Sequence, residues 1–248
     1  MASMAGEEAR VGGDLNVIGT AEARSALAWW LEAGVDVVIQ EEPRNWLKPP
    51  APSSRRPESA AVPEPAPEPV PDTLEALREW LTSSAAVPMA RPAARRILPH
   101  GPEQAAVMLL SEAPTPEDAA AGQPIGGDAW ILAERMLKAI GVSTDQAYSA
   151  SISCIHAPGA RLGEKERLAC AEIARKHIAL ARPERLLLLG DGPCMTLLGK
   201  RLVEARGHIH KVQGVRTVAT FHPRHLINRP LDKSLAWKDL LLLMEDQA

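Results

Sequence analysis

The sequence predicts an α/β fold built on a mostly parallel sheet. Short apolar runs recur at 106–110, 147–153, 185–189 and 215–221. Segments with helical spacing follow them at 129–140, 164–181, 195–198 and 231–244. Leu186 to Leu189 is an unbroken apolar run closed by Gly190, as expected for a strand covered on both faces. Strands alternating with helices call for crossover connections and hence parallel pairing. Taken in order, 74–81 reads as an outer helix with Asp72 as its N-cap. The 129–140 helix stops at Gly141, the 164–181 helix is closed by Pro183, and 195–198 is a helical turn. In such a sheet chemistry gathers at the carboxyl ends of strands. The turns after Leu110, Ser153, Gly190 and Phe221 are therefore the candidate positions.

The chain has 248 residues, enough to bury a core without covalent staples. Three cysteines exclude a disulfide-rich scaffold. The longest apolar runs, 186–189 and 240–244, are too short to span a bilayer, and no basic segment precedes an apolar stretch at the N-terminus. The expectation is a cytoplasmic, nucleoid-associated monomer with no membrane partner. Nine of the 22 prolines fall within 49–71, a stretch with almost no large apolar side chains. Three parts follow: an N-terminal helical segment at 1–47, a proline-rich disordered linker at 48–71, and a domain at 72–248. Residues 21–32 have helical propensity, with Ala26, Leu27, Trp30 and Leu31 in reach of one face and Gly34 as the stop. The Trp29–Trp30 pair would dock on the main domain or on a protein partner.

The net charge of −3 conceals a split. Residues 1–72 hold six basic and twelve acidic side chains, and the remainder holds 22 and 19. Between 195 and 238 nine basic residues face only Glu204 and Asp232. That excess suits a polyanion, or is a plain solvated face. Arg206, His208, His210 and Lys211 cluster there, with no acidic or cysteine partner for a metal, so phosphate contact or surface is the reading. No GxxxxGK[ST] phosphate loop is present.

The turn after the first strand runs Ser111-Glu112-Ala113-Pro114-Thr115-Pro116-Glu117-Asp118 and continues to Gln123-Pro124-Ile125-Gly126-Gly127. The turn after the last strand runs Thr220-Phe221-His222-Pro223-Arg224-His225-Leu226. Cys154 and Cys170 lie between, sixteen residues apart. Together these resemble the family 4 uracil-DNA glycosylases, the iron–sulfur branch of that superfamily. Its pattern opens Gly-Glu-Ala-Pro-Gly with an acidic cluster, continues Gly-x-Pro-Phe-x-Gly and closes His-Pro-Ser-x-Leu. The resemblance covers about residues 72 to 246. It implies a three-layer α/β/α sandwich and hydrolysis of the N-glycosidic bond of uracil in single- or double-stranded DNA, as in base excision repair. By resemblance His222 stabilises the anion that develops on the leaving base. Glu112 and Asp118 orient water or balance the sugar cation. Ala113, Pro114, Ile125 and Ala150 fall at base-pocket positions, and Arg206, Lys211, Arg224 and His225 are the DNA-contact candidates.

This chain departs from the family at several positions. Ser111 and Thr115 replace glycines, Ile125 replaces the phenylalanine that stacks on uracil, and Ala150 replaces the asparagine that pairs with its edge. A lost bidentate contact costs ~1–3 kcal/mol and a lost stack ~1–3 kcal/mol more. Cys154 and Cys170 match half of a four-cysteine cluster. The first pair would fall near 87–91, which reads Val-Pro-Met-Ala-Arg. No cluster and no metal are therefore expected. Two readings stand: an active glycosylase for uracil or another damaged base, or a catalytically degenerate member that binds DNA or a partner protein. More modestly, His222 reads as a turn histidine, Glu112 and Asp118 as helix N-terminal charges, and the two cysteines as small packed residues.

Overall fold

A computed structural model of the chain describes residues 20–33, 68–91, 94–156 and 163–245. The chain divides into two units, Met1–Val62 and Pro63–Ala248. In the first, α1 (Thr20–Glu32) is a thirteen-residue helix with Leu27, Trp29 and Trp30 exposed. The remainder of the expected N-terminal segment and the proline-rich stretch up to residue 67 lie outside the described residues. Among the described residues no helix is long and apolar enough to cross a membrane.

The second unit contains, in order, α2 (Leu74–Ser83), β1 (Arg95–Arg96), β2 (Val107–Ser111), α3 (Pro116–Ala121), α4 (Gly127–Ala139), β3 (Ala147–Ser151), β4 (Ile155–His156) and α5 (Glu164–Ala181). It continues with β5 (Arg185–Leu189), α6 (Asp191–Leu198), α7 (Leu202–Ala205), β6 (Ile209–Val212), β7 (Val215–Thr220), α8 (Pro223–Asn228) and α9 (Lys233–Met244). Five strands form one sheet in the order β3-β2-β5-β7-β6. All neighbours are parallel except β6, which runs against β7. The two short strands β1 and β4 pair separately.

Alternation along the parallel strands builds the layers. Met108, Leu110, Leu186 and Leu188 enter one core with α2, α5 and α6. Val107, Leu109, Leu187 and Leu189 enter the other with α4 and α9. Because both faces are covered, β2 and β5 are apolar nearly throughout. This is the expected three-layer α/β/α sandwich with a mostly parallel sheet.

Several boundaries differ from the sequence reading, each for a local reason. The N-cap of α2 is Thr73, whose hydroxyl accepts from the Ala76 amide at 3.3 Å. Asp72 instead pairs with Lys176 on α5 at 2.7 Å. Strand β3 stops at Ser151, opposite Ser111, the last residue of β2, and beyond it Ile152 and Ser153 still donate their amides to the carbonyls of Ser111 and Glu112. Helix α6 begins at Asp191, directly after Gly190, rather than at residue 195. A 3-10 turn occupies Pro230–Asp232, so the last helix starts at Lys233. Strand β6 has no counterpart among the expected elements. It is joined to β7 by Gln213 (φ 51°) and Gly214 (φ 79°), the left-handed pair that a two-residue hairpin turn requires.

One polar network crosses the larger core. Tyr148 and His177, both buried, share a hydrogen bond of 2.7 Å, with the Arg78 guanidinium 5.4 Å from the tyrosine ring. Burial, reinforced by Arg78, pushes His177 down to about 4. The unfolded chain takes up this proton near pH 6.5 and the folded chain only near pH 4. Stability is therefore full above pH 6.5 and falls as the pH drops through that window, by up to about 3 kcal/mol. Denaturant unfolding at pH 7 and pH 4.5 should show this loss, reduced in the pair His177→Leu with Tyr148→Phe; an unchanged loss would place the titration elsewhere.

Candidate active site

The chain leaves β2 towards β3 on one side of the sheet and later extends from β5 to β7 on the other. The order reverses between β2 and β5, and a parallel sheet opens a crevice at such a point, outside the carboxyl ends of its strands. The turn after β2 and the turn after β7 flank this crevice. Only β5 separates their strands, so the two turns stand about 10 Å apart.

The turn after β5 is the floor between them, and glycines keep it low. Gly190 sits at φ 94°, where a side chain is strained, and a Cβ there would stand 3.8 Å from the Cβ of His222. A Cβ on Gly192 would collide with the side chain of Glu112. Glu112 itself is exposed and lies over the start of α6, where the helix dipole favours a carboxylate.

The turn after β2 is held by Asp118. Thr115 caps α3, Pro116 occupies the first helical position, and Asp118 closes the capping box. The Asp118 carboxylate is 2% exposed. One oxygen accepts from the Thr115 amide (2.8 Å) and hydroxyl (2.7 Å). The other accepts from the Gly126 amide (2.6 Å) and from Nη2 of Arg224 (2.9 Å). Those four bonds fill the carboxylate's lone-pair positions. Ser111 sits within hydrogen-bond reach of the carbonyls of Pro124 (3.2 Å) and Ala150 (3.4 Å). Both replacements of the family's glycines thus bond to this turn.

His222 ends the turn after β7 and caps α8. Its Nδ1 accepts from the Arg224 amide at 3.1 Å, which assigns the ring proton to Nε2. Burial pushes its pKa down to about 4, Arg224 pushes the same way, and Asp118 opposes them. The imidazole is neutral at pH 7.

The expected pocket residues separate. Ala113 is half-buried and Pro114 buried in the turn after β2. The Pro114 carbonyl accepts from Nδ1 of His156 at 2.7 Å. Ile125 is 0% exposed and packs in the core with Ala129, Leu187 and Leu240. Ala150 is buried in the opposite core and borders a cavity of about 20 Å³ with Ser151 and His177, room for about one water. Because β2 and β3 are covered on both faces, a residue between the two turns can sit in either core.

The basic candidates separate as well. Arg206 bonds through Nε to buried Asp239 at 2.8 Å, and Thr220 donates to the same oxygen at 2.7 Å. The Arg206 guanidinium lies 4.2 Å from the ring centre of Phe221, which stacks on His225 at 4.7 Å. His225 in turn bonds Asp232 at 2.7 Å. Arg224, beyond Asp118, reaches Glu117 at 3.4 Å. All of these lie at the carboxyl edge. Lys211 does not: it is exposed and lies opposite Arg216 in the β6–β7 ladder, near the amino end of β7. His208 and His210 donate to the carbonyls of Arg206 and Ala205.

Two contributors were not singled out from sequence: His156 and Gly192. The Thr-Pro-Glu-Asp capping box was legible in the sequence. His156 acts across a long sequence separation, on the Pro114 carbonyl, and left no local signal.

Residues 98–241 match the uracil DNA glycosylase superfamily. A protein from Pyrobaculum aerophilum described as a type-4 uracil-DNA glycosylase is 24% identical over 180 residues, covering 68% of this chain and 92% of that protein.

The iron–sulfur cluster of family 4 does not fit the residues here. Cys154 and Cys170 are both buried in the larger core, with thiols pushed by burial up to about 11 and about 12. Where the other two cysteines would lie, Val87 is buried and Met89 and Ala90 pack against that same core. Among the described residues no group of three or more His, Cys, Asp or Glu side chains could hold a metal ion. Apolar side chains occupy the place of the missing ligands. The pair Cys154→Ala with Cys170→Ala should therefore keep its secondary structure and lose only about 1–3 kcal/mol of stability, as for small buried groups; circular dichroism and denaturant unfolding check this, and loss of the fold would mean the thiols hold more than packing.

Proposed function

The chain belongs to the uracil-DNA glycosylase superfamily, and from that premise we propose that it hydrolyses the N-glycosidic bond of uracil, or of another damaged base, in DNA. The observation that carries this reading is His222. It stands at the carboxyl end of β7 with a neutral ring protonated on Nε2. When the glycosidic bond breaks, the electron pair stays on the base and negative charge builds on a base oxygen, while the sugar becomes cationic and is captured by water. A neutral imidazole can donate a hydrogen bond to that oxygen without giving up its proton, and a partly dry site strengthens the bond.

Glu112 supplies the second role. Its exposed carboxylate lies across the glycine floor from His222, suited to orienting water or balancing the sugar cation. Asp118 has no lone pair left for water, so we assign that role to Glu112 alone. The DNA backbone would approach over the carboxyl edge, near His225 and Arg206. Lys211, at the other edge, would contribute only long-range attraction.

A second reading has its own support. Ala150 offers no amide to a base, and Ile125 offers no exposed face. A member that grips DNA without excising uracil would need neither.

Oligonucleotides carrying one uracil, single- and double-stranded, followed by alkaline cleavage of abasic sites, separate the two. We expect strand cleavage that drops roughly 10²- to 10³-fold in His222→Ala. Glu112→Gln should also slow it. With His222 neutral, the rate should hold from pH 8 to pH 5 and fall only towards pH 4, where a protonated Nδ1 can no longer accept from Arg224. Salt-dependent binding without cleavage would favour the second reading.

A further inference from the structure

We propose that Arg224 and Asp118 act together as a clamp that positions His222 against the turn after β2, making both of them positioning residues rather than contacts to DNA or to water. The argument starts from what Arg224 does at its two ends. Its backbone amide donates to Nδ1 of His222 and selects the Nε2–H tautomer. Its guanidinium crosses 106 residues of sequence to bond Asp118 at 2.9 Å. Asp118 in turn grips the Thr115 amide and hydroxyl and the Gly126 amide. One residue, through its backbone amide and its guanidinium, thereby links the imidazole to the carboxylate that holds both ends of the segment from Thr115 to Gly126.

The burial of the partners decides which contact matters. Glu117 is 67% exposed, and its pair with Arg224 is screened by water. Asp118 is 2% exposed, and removing its cation would leave a buried negative charge uncompensated. That charge lies beside His222. The charged groups that act on the imidazole are Arg224 on α8 and Asp118 on α3, with Glu117 joined through Arg224 and the exposed Glu112 carboxylate across the glycine floor. Gly190, at the end of β5, packs near its Cβ and carries no charge. His225 is engaged with Asp232. Arg224 therefore serves a second purpose: it neutralises the carboxylate that would otherwise draw a proton onto the ring.

The kinetic part of this inference rests on the glycosylase reading above, and the spectroscopic part does not. The test is a double-mutant cycle of Arg224→Gln and Asp118→Asn in the full chain, with Arg224→Lys as the charge-retaining control. The His222 ring proton is followed by NMR through a pH titration. In Arg224→Gln the His222 midpoint should rise by about one pH unit or more. It should fall back in the double variant, where the buried charge is gone, and Arg224→Lys should hold it low.

In the excision assay each single variant should lose roughly 10- to 100-fold in kcat with little change in KM, and the double variant should be no worse than the poorer single. An unmoved His222 midpoint in a folded Arg224→Gln protein would overturn the clamp. So would effects of the two single variants that simply multiply, since Asp118 would then act on substrate by itself. A raised KM with a shallower salt dependence and intact kcat in Arg224→Gln would also overturn it, returning Arg224 to the DNA phosphates. If the parent protein excises no base while the His222 midpoint moves as described, the clamp stands and the glycosylase reading falls.

Discussion

The parallel register of β2, β5 and β7 is the constraint on which the site depends. It brings three carboxyl ends to one edge of the sheet, so three turns from distant parts of the chain share one crevice. β5 alone separates β2 from β7, which sets the distance between the Glu112 and His222 turns at about two strand spacings. Nothing may rise from the middle strand into that interval. Gly190 and Gly192 meet the requirement, one through a backbone angle that side chains avoid and the other through a contact that leaves no room for a methyl.

Two buried carboxylates then hold the edge together by the same means. Asp118 and Asp239 are each 2% exposed, each bonds the hydroxyl of a threonine, and each receives an arginine from another element. A buried charge of this kind is costly unless its lone pairs are occupied. Here the occupants are the capping threonine and Arg224 for Asp118, and Thr220 with Arg206 for Asp239. The arginines that a charge count offers to DNA are thus partly spent on the fold. Arg206 also lies on Phe221, the only phenylalanine in the chain, and His225 stacks on the same ring. That ring is engaged within the protein.

The region corresponding to the cluster follows a different logic. Cys154 and Cys170 remain in a core that includes Val87 and against which Met89 and Ala90 pack. A four-thiolate site exchanged for close apolar contacts would keep the packing of α2 against α5 without any metal. Dispersion and burial can support that contact, since α2 already presents Leu74, Leu77, Trp80 and Leu81 to it.

The sequence by itself determined the layer architecture and the order of the parallel strands' turns. Period-two alternation and unbroken apolar runs are local signals, and so are the limits of the helix at 164–181 and the strand at 185–189. It also marked Glu112 and His222, because their motifs are short. What it could not reach was everything set by contacts across the chain. The N-cap of α2 is Thr73, whose hydroxyl accepts from the Ala76 amide, while Asp72 pairs at the surface with Lys176, about a hundred residues away. Ile125 turned into the core because the chain between β2 and α4 is pinned at Gly126 by Asp118. The hairpin of β6 was hidden because Ile209 and Val212 differ in burial and the strand lies at the sheet edge. Above all, only the tertiary structure decided that Asp118 belongs to Arg224. A side chain's partner is chosen by distance in space and by the cost of leaving a buried charge unpaired, and neither is written in its neighbours along the chain.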